Sequence, residues 1–220
     1  MSPDRTKVVT GQLGSAWLWD VRSGRGRRLL EVGDLDDVDG AAFSPDGARV
    51  AVSARGNVVL WDFVRNRRIA TLRGHTASIS FLRFSADGSR LVTAADDETA
   101  RLWDGGTGEP VAVLRDYAND ITSANFSRDG RFLVTTSGDD AIRVADAATG
   151  RDVATVRTAT GAVFGATIVG RSRQSVATHA SGRPWLETCE ICGPLDDLLE
   201  LARRRETREL TRSETARYLH

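Results

Sequence analysis

Cysteine is nearly missing from this chain: Cys189 and Cys192 are the only two in 220 residues, too few for a disulfide framework. Proline occurs only five times and apolar residues are spread evenly, so a mostly disordered chain is excluded. No stretch approaches the roughly 18 uninterrupted apolar residues that a membrane span requires. Residues 1–9 carry Asp4, Arg5 and Lys7 and lack the apolar centre of a secretory signal, so the expected location is the cytosol, without a membrane partner. Net charge is lacking too. Thirty basic and thirty acidic side chains cancel, which argues against a nucleic-acid partner held by bulk charge. Lysine is represented by Lys7 alone, and the other 29 basic residues are arginine. The better carboxylate fork of arginine does not by itself produce such a ratio, so it is read as a high-GC coding bias and a bacterial source.

Chemistry-bearing motifs are also missing. There is no Gly-x-x-x-x-Gly-Lys phosphate loop, no His-Glu-x-x-His and no Gly-x-Ser-x-Gly elbow. The pairs Asp96-Asp97 and Asp139-Asp140 resemble paired acids, but they recur in phase with a repeat, which makes them structural. The expectation is a protein without catalytic residues or cofactor.

What is present is a repeat. Trp19, Trp61 and Trp103 are spaced by 42 residues, each within Leu-Trp-Asp, and the next step lands on Ala145 in Val-Ala-Asp. A second marker keeps the same phase: Phe43-Ser-Pro-Asp-Gly47, Phe84-Ser-Ala-Asp-Gly88 and Phe126-Ser-Arg-Asp-Gly130. Each Asp-Gly predicts a tight turn, flanked by β-branched runs such as residues 49–53, 91–93 and 132–136. Counting the runs gives four strands per period, and a period of about 40–45 residues ending in Trp-Asp is the pattern of a four-stranded propeller blade.

On these residues the sequence resembles the WD40 repeat family over 1–188, with repeats ending near 20, 62, 104, 146 and 188. The resemblance implies an all-β propeller of about five blades, three complete and two partial. Alternatives are a fragment of a larger propeller or two chains pairing to complete one, because Met1-Ser-Pro-Asp4 aligns with Phe43-Ser-Pro-Asp46 and places the start after a blade's first strand. It also implies a structural tetrad, met in full by His75, Thr93, Asp97 and Trp103. The position of His75 is taken by Asp34 and Tyr117 in the flanking repeats, and the fourth repeat keeps Thr135 and Asp139 but has Ala145 for the tryptophan. The outlying blades are therefore expected to be weaker, and Asp97 to matter more than Asp139.

The remaining residues, 189–220, form a second segment. Cys-Glu-Ile-Cys-Gly193 is followed by Leu195, Leu198, Leu199 and Ala202 at helical spacing and by a Thr211-Arg-Ser-Glu214 capping box. A short helical cap is expected, similar to the tail of long bacterial WD40 proteins. Cys189 and Cys192 are candidate metal or redox groups, against the reading of idle thiols, since only His179 and His220 could complete a zinc site and neither has finger spacing.

By family phase, the partner-binding residues are Asp37, Asp39, Ser78, Ser80, Asp96, Asp120, Thr122 and Gly138. The acids gather on one rim and Arg22, Arg25, Arg27, Arg28, Arg65, Arg67 and Arg68 on the other side. The resemblance thus implies a non-catalytic interaction scaffold or sensor module, related to multidomain bacterial signalling proteins, whose acidic top face takes a protein or peptide with a basic surface. The alternatives are a small zinc- or thiol-dependent protein centred on Cys189 and Cys192, or a non-functional remnant.

Overall fold

The computed structural model describes residues 1–12, 14–31, 38–157, 163–169, 175–180 and 183–188. Its regular elements are eighteen strands in five antiparallel sheets, with no helix among the described residues. The first sheet holds β1 (Lys7–Gln12), β2 (Ser15–Asp20) and β3 (Gly26–Glu31). The second holds β4 (Gly40–Phe43), β5 (Arg49–Ala54), β6 (Asn57–Asp62) and β7 (Arg67–Leu72). The third holds β8 (Ile79–Phe84), β9 (Arg90–Ala95), β10 (Thr99–Asp104) and β11 (Pro110–Leu114). The fourth holds β12 (Ile121–Phe126), β13 (Phe132–Ser137), β14 (Ala141–Asp146) and β15 (Asp152–Arg157). The last holds β16 (Val163–Val169), β17 (Ser175–Ala180) and β18 (Arg183–Thr188). Strands pair in sequence order within every sheet, so the expected three full and two partial blades appear as sheets of four and three strands. The expected helical cap over 189–220 lies outside the described residues.

The turn chemistry explains the two sequence markers. In each Ser-x-Asp turn the serine hydroxyl donates to the aspartate two residues on: Ser2 to Asp4 at 2.6 Å, Ser44 to Asp46 at 2.5 Å, Ser85 to Asp87 at 2.6 Å and Ser127 to Asp129 at 2.6 Å. The same hydroxyl accepts the backbone N–H that opens the next strand, as from Arg49 and Arg90 at 2.9 Å. The glycine supplies the left-handed residue, Gly47 at φ 68°, and Arg5 takes that conformation at φ 61° in the first turn. The aspartate of Leu-Trp-Asp, and Asp146 of Val-Ala-Asp, accepts from the backbone three residues later: Ser23 at 2.7 Å, Arg65 at 2.9 Å, Thr107 at 2.8 Å and Thr149 at 2.8 Å. A bulge recurs at Leu60/Trp61, Leu102/Trp103 and Val144/Ala145, where the third strand meets the outer one. Such bulges add twist.

Consecutive sheets pack face to face. Leu18, Leu29 and Leu30 of the first sheet cluster with Val50, Val52 and Val59 of the second. Leu60 and Leu72 meet Leu91 and Trp103; Leu102 and Leu114 meet Leu133 and Ala145; Val144 meets Val163 and Ala166. Each fully buried aliphatic side chain contributes about 1.5–3 kcal/mol. Polar struts cross the same joints. Arg49 donates to the Gly105 carbonyl at 2.6 Å and Arg90 to the Ala147 carbonyl at 3.1 Å. On the inner strands Arg83 donates to Asn125, which in turn donates to the Ala166 carbonyl at 3.0 Å.

Candidate functional site

The third sheet carries the complete relay. Trp103 Nε1–H donates to Thr93 Oγ1 at 3.0 Å, Thr93 lies 2.7 Å from His75 Nε2, and His75 Nδ1 lies 3.0 Å from Asp97 Oδ2. One proton arrangement satisfies every atom: Nδ1–H donates to the carboxylate, and Nε2 accepts from the Thr93 hydroxyl. Burial pushes the imidazole below its ordinary value, against the opposing pull of Asp97, which favours this neutral form. Burial pushes the Asp97 carboxyl up, but bonds from the Thr99 hydroxyl, the Thr76 N–H and His75 outweigh it and leave the carboxyl below its usual range. Thr99, which donates to Asp97 at 2.7 Å, is a relay member that the four-residue pattern omits. A histidine with both nitrogens engaged by structural partners is no free base.

The other sheets solve the same problem differently. In the first, Trp19 Nε1 donates to Thr10 at 2.8 Å. In the second, Val52 stands opposite Val59 as Thr93 stands opposite Arg101, and Trp61 Nε1 is buried without a partner among the described residues. The fourth sheet is rewired. The Tyr117 hydroxyl bonds Thr135 at 2.8 Å, and Arg143 grips Asp139 through both terminal nitrogens at 2.5 and 3.1 Å. The guanidinium also donates to the Asp116 carbonyl at 2.7 Å and lies 4.6 Å from the centre of the Tyr117 ring. Burial pushes the Tyr117 phenol up to about 12. It pushes the Asp139 carboxyl up as well, but Arg143 and the N–H groups of Ala118 and Ala141 bring that group down to about 2.

The lost tryptophan that led to the expectation of a weakened fourth blade is thus accompanied by contacts which the third blade lacks. Tyr117 and Ala145 share one buried cluster, so a larger ring at the histidine position accompanies the smaller residue at the tryptophan position. Arg143 was missed because Arg101, in the same register, makes only the shared part of its contacts: it reaches the Gly74 carbonyl at 2.8 Å, as Arg143 reaches that of Asp116, without gripping the carboxylate of its own sheet. The signal available in sequence was the joint change at 117 and 145.

Of the proposed partner-binding residues that the structure describes, Asp39, Ser78 and Asp120 lie just before β4, β8 and β12, Ser80 and Thr122 within β8 and β12, and Asp96 and Gly138 in the turns after β9 and β13, where these segments form a rim. Ser78, Ser80 and Asp96 come together: the Ser80 hydroxyl donates to Asp96 at 2.5 Å, and the Asp96 N–H donates to the Ser78 carbonyl at 3.0 Å. Asp120 and Gly138 are joined likewise, N–H of Gly138 to carbonyl of Asp120 at 3.0 Å, and the Asp39 N–H donates to the Ser53 carbonyl at 2.9 Å. Asp39, Ser78, Ser80, Asp96 and Asp120 are exposed. Thr122 differs, because its hydroxyl is turned into the joint with the last sheet, 2.5 Å from the Val163 carbonyl and 2.7 Å from Thr136. Glu98 and Asp116 add exposed acids to the rim, while Arg55, Arg73 and Arg115 are exposed beside them, so its charge is mixed. Asp37, Cys189 and Cys192 lie outside the described residues. Among the described residues no three His, Cys, Asp or Glu side chains group as metal ligands would.

The WD40 family (WD domain, G-beta repeat) matches this chain three times, over 28–62, 66–104 and 108–146. Curated relatives include the LST8 homolog of Drosophila melanogaster, 32% identical over 108 residues, which are 45% of this chain and 34% of that protein. The groucho protein of the same fly is 35% identical over 103 residues, 45% of this chain and 14% of that protein. Apoptotic protease-activating factor 1 of Mus musculus is 28% identical over 102 residues, 46% of this chain and 8% of that protein. The matched part of the chain thus spans about a third or less of the length of these relatives.

Proposed function

This chain belongs to the WD40 repeat family, and on that premise we propose that it is a non-catalytic platform that holds a protein or peptide partner of basic surface on the rim above the second to fourth sheets. Ser78 and Asp120 occupy the same place just before the inner strands of the third and fourth sheets, with the turns after the second strands against them, and Asp39 stands in the second sheet at the place that Ser80 takes in the third. This periodic row of exposed groups carries the reading. An extended segment crossing the rim meets a carboxylate or hydroxyl at each sheet, and the acids outnumber the neighbouring guanidiniums. An excess of one charge on a rim speeds encounter with oppositely charged partners and fixes their register more than it adds affinity. The relatives support protein partners in general. The resemblance of the tail supports a place among multidomain bacterial signalling proteins.

Fluorescence anisotropy with a labelled arginine-rich peptide, beside an acidic peptide of equal length, tests the reading. Binding of the basic peptide alone, weakening steeply with salt and lost in Asp39→Lys/Asp96→Lys/Asp120→Lys, is expected. Unchanged binding by a triple variant with an unchanged circular dichroism spectrum overturns it.

A further inference from the structure

Each sheet ends in an outer strand that no further strand joins among the described residues: β3, β7, β11, β15 and β18. Such an edge presents unpaired backbone N–H and C=O groups, and charged side chains on the strand are a common guard against pairing with another chain. Arg27 in β3, Arg67 in β7, Asp152 in β15 and Arg183 in β18 are of that kind. β11 has none. Its five residues, Pro-Val-Ala-Val-Leu, carry no charge, and Val113 is 38% exposed. Pro110 stands at the first position, where an edge strand tolerates it. Val111 and Ala112 pack on the cluster of Leu102 and Leu114, so the strand is firmly seated on its own sheet. Gly150 of the next sheet lies against the Ala112 Cβ, which is a contact with the face of the sheet and not with the backbone edge of β11.

The charges at the two ends of β11 select the occupant of this edge. Glu109 precedes the strand and Arg115 follows it; both are exposed, and neither side chain has a partner among the described residues. They stand six residues apart, with Ala112 midway. Laid antiparallel against a second β11, with Ala112 facing Ala112, Val111 faces Val113, Pro110 faces Leu114 and Glu109 faces Arg115, each of these pairs occurring twice. Branched side chains and opposite charges facing across strands stabilise a ladder, and like charges oppose it. The even separation matters. Facing positions alternate between hydrogen-bonded and non-bonded along an antiparallel pair, so a two-fold axis must pass between two copies of one residue. β15 has an acid and a base in the same order, Asp152 and Arg157, but five residues apart, so no residue falls on the axis and these charges cannot meet in a symmetric pair. We infer that β11 pairs edge to edge with β11 of a second copy about a two-fold axis at Ala112, joining two four-stranded sheets into one of eight strands. The contact uses one surface twice and closes at two copies.

Light scattering coupled to size-exclusion chromatography over a concentration series reads the outcome. The wild-type chain is expected to pass from monomer to dimer and no further. Glu109→Arg leaves bases at both ends of the strand and Arg115→Glu leaves acids at both; each is expected to weaken the dimer by about tenfold. An equimolar mixture of the two, and the double variant Glu109→Arg/Arg115→Glu, are expected to associate like wild type, because each restores opposite charges at both ends. Val113→Lys, which places a charge within the strand, is expected to be monomeric. A wild type that stays monomeric at every concentration, or grows beyond two copies, overturns the inference. So does a Glu109→Arg or Val113→Lys chain that dimerises like wild type, or a mixture no tighter than either charge variant alone. The two charge variants alter exposed residues outside the strand, so they decide the matter should Val113→Lys lose its circular dichroism spectrum.

Discussion

Replacing Asp139 with alanine separates the rewired fourth sheet from the relay of the third. The Asp139 and Arg143 side chains are 6% and 9% exposed and joined through two hydrogen bonds. Removing one member of a buried pair strands the other and costs about 3–5 kcal/mol. The carboxyl's displacement from 3.8 to about 2 gives an independent figure of about 2.5 kcal/mol, at about 1.36 kcal/mol per pKa unit. Asp97→Ala instead leaves neutral donors on His75, Thr99 and Thr76, about 1–3 kcal/mol for each of the two buried ones, while the exposed Thr76 N–H meets water. Asp139→Ala should therefore cost about as much as Asp97→Ala, where the intact tetrad suggests that it costs less. For a domain of this size each kcal/mol shifts the midpoint by about 2–4 °C, so a fall of about 5–20 °C is expected in calorimetry. Adding Arg143→Met to Asp139→Ala removes the stranded charge and should restore much of the loss. A fall under about 2 °C, or a double variant no more stable than the single one, refutes the reasoning.

Further outcomes follow from the same geometry. His75 is held below its ordinary value by burial, so the unfolded chain binds a proton first. Its share of the stability is complete above the unfolded value near 6.5 and fades as pH falls toward the lower folded value. Chemical denaturation at pH 5 and pH 7.5 should show the wild type losing stability on acidification and His75→Gln losing less; equal slopes refute it. Asp139 behaves in the same sense at lower pH, its stabilisation complete above about 3.8 and lost as pH falls through about 2. Val52→Thr places an acceptor where Thr93 serves Trp103, so it should interact favourably with Trp61 by about 0.5–1.5 kcal/mol in a double-mutant cycle with Trp61→Phe. Strict additivity of the two changes would contradict that placement.

The sheets were legible because their punctuation is local. Ser44 and Asp46 bond across two residues and Asp62 and Arg65 across three, so the markers keep their spacing whatever packs around them. The complete tetrad was legible for a related reason: all four residue types are present at family phase. Counting failed where length or distant context intervened. The turn after β5 is one residue shorter than that after β9, so a 42-residue step from Thr93 reaches Ala51, while strand pairing puts Val52 there. Valine there offers the Trp61 nitrogen no acceptor. Arg101 and Arg143 share a register and a backbone partner, and only Arg143 also grips a carboxylate, beside Tyr117, which lies 26 residues away in sequence.

The two relays converge on the rim. Asp97 accepts the Thr76 N–H at 2.9 Å, and Asp139 accepts the Ala118 N–H at 3.3 Å. Those backbone groups stand two residues before Ser78 and Asp120, which the proposed partner contacts. A neutral histidine in one sheet and an arginine in the next thus keep a buried carboxylate ionised for the same purpose, pinning the loop from which the rim residues project. The strand ladders do not depend on either carboxylate. The rim loops do, so selection for a partner surface would preserve the carboxylate in each blade while leaving its counter-group free to change, as His75 and Arg143 illustrate.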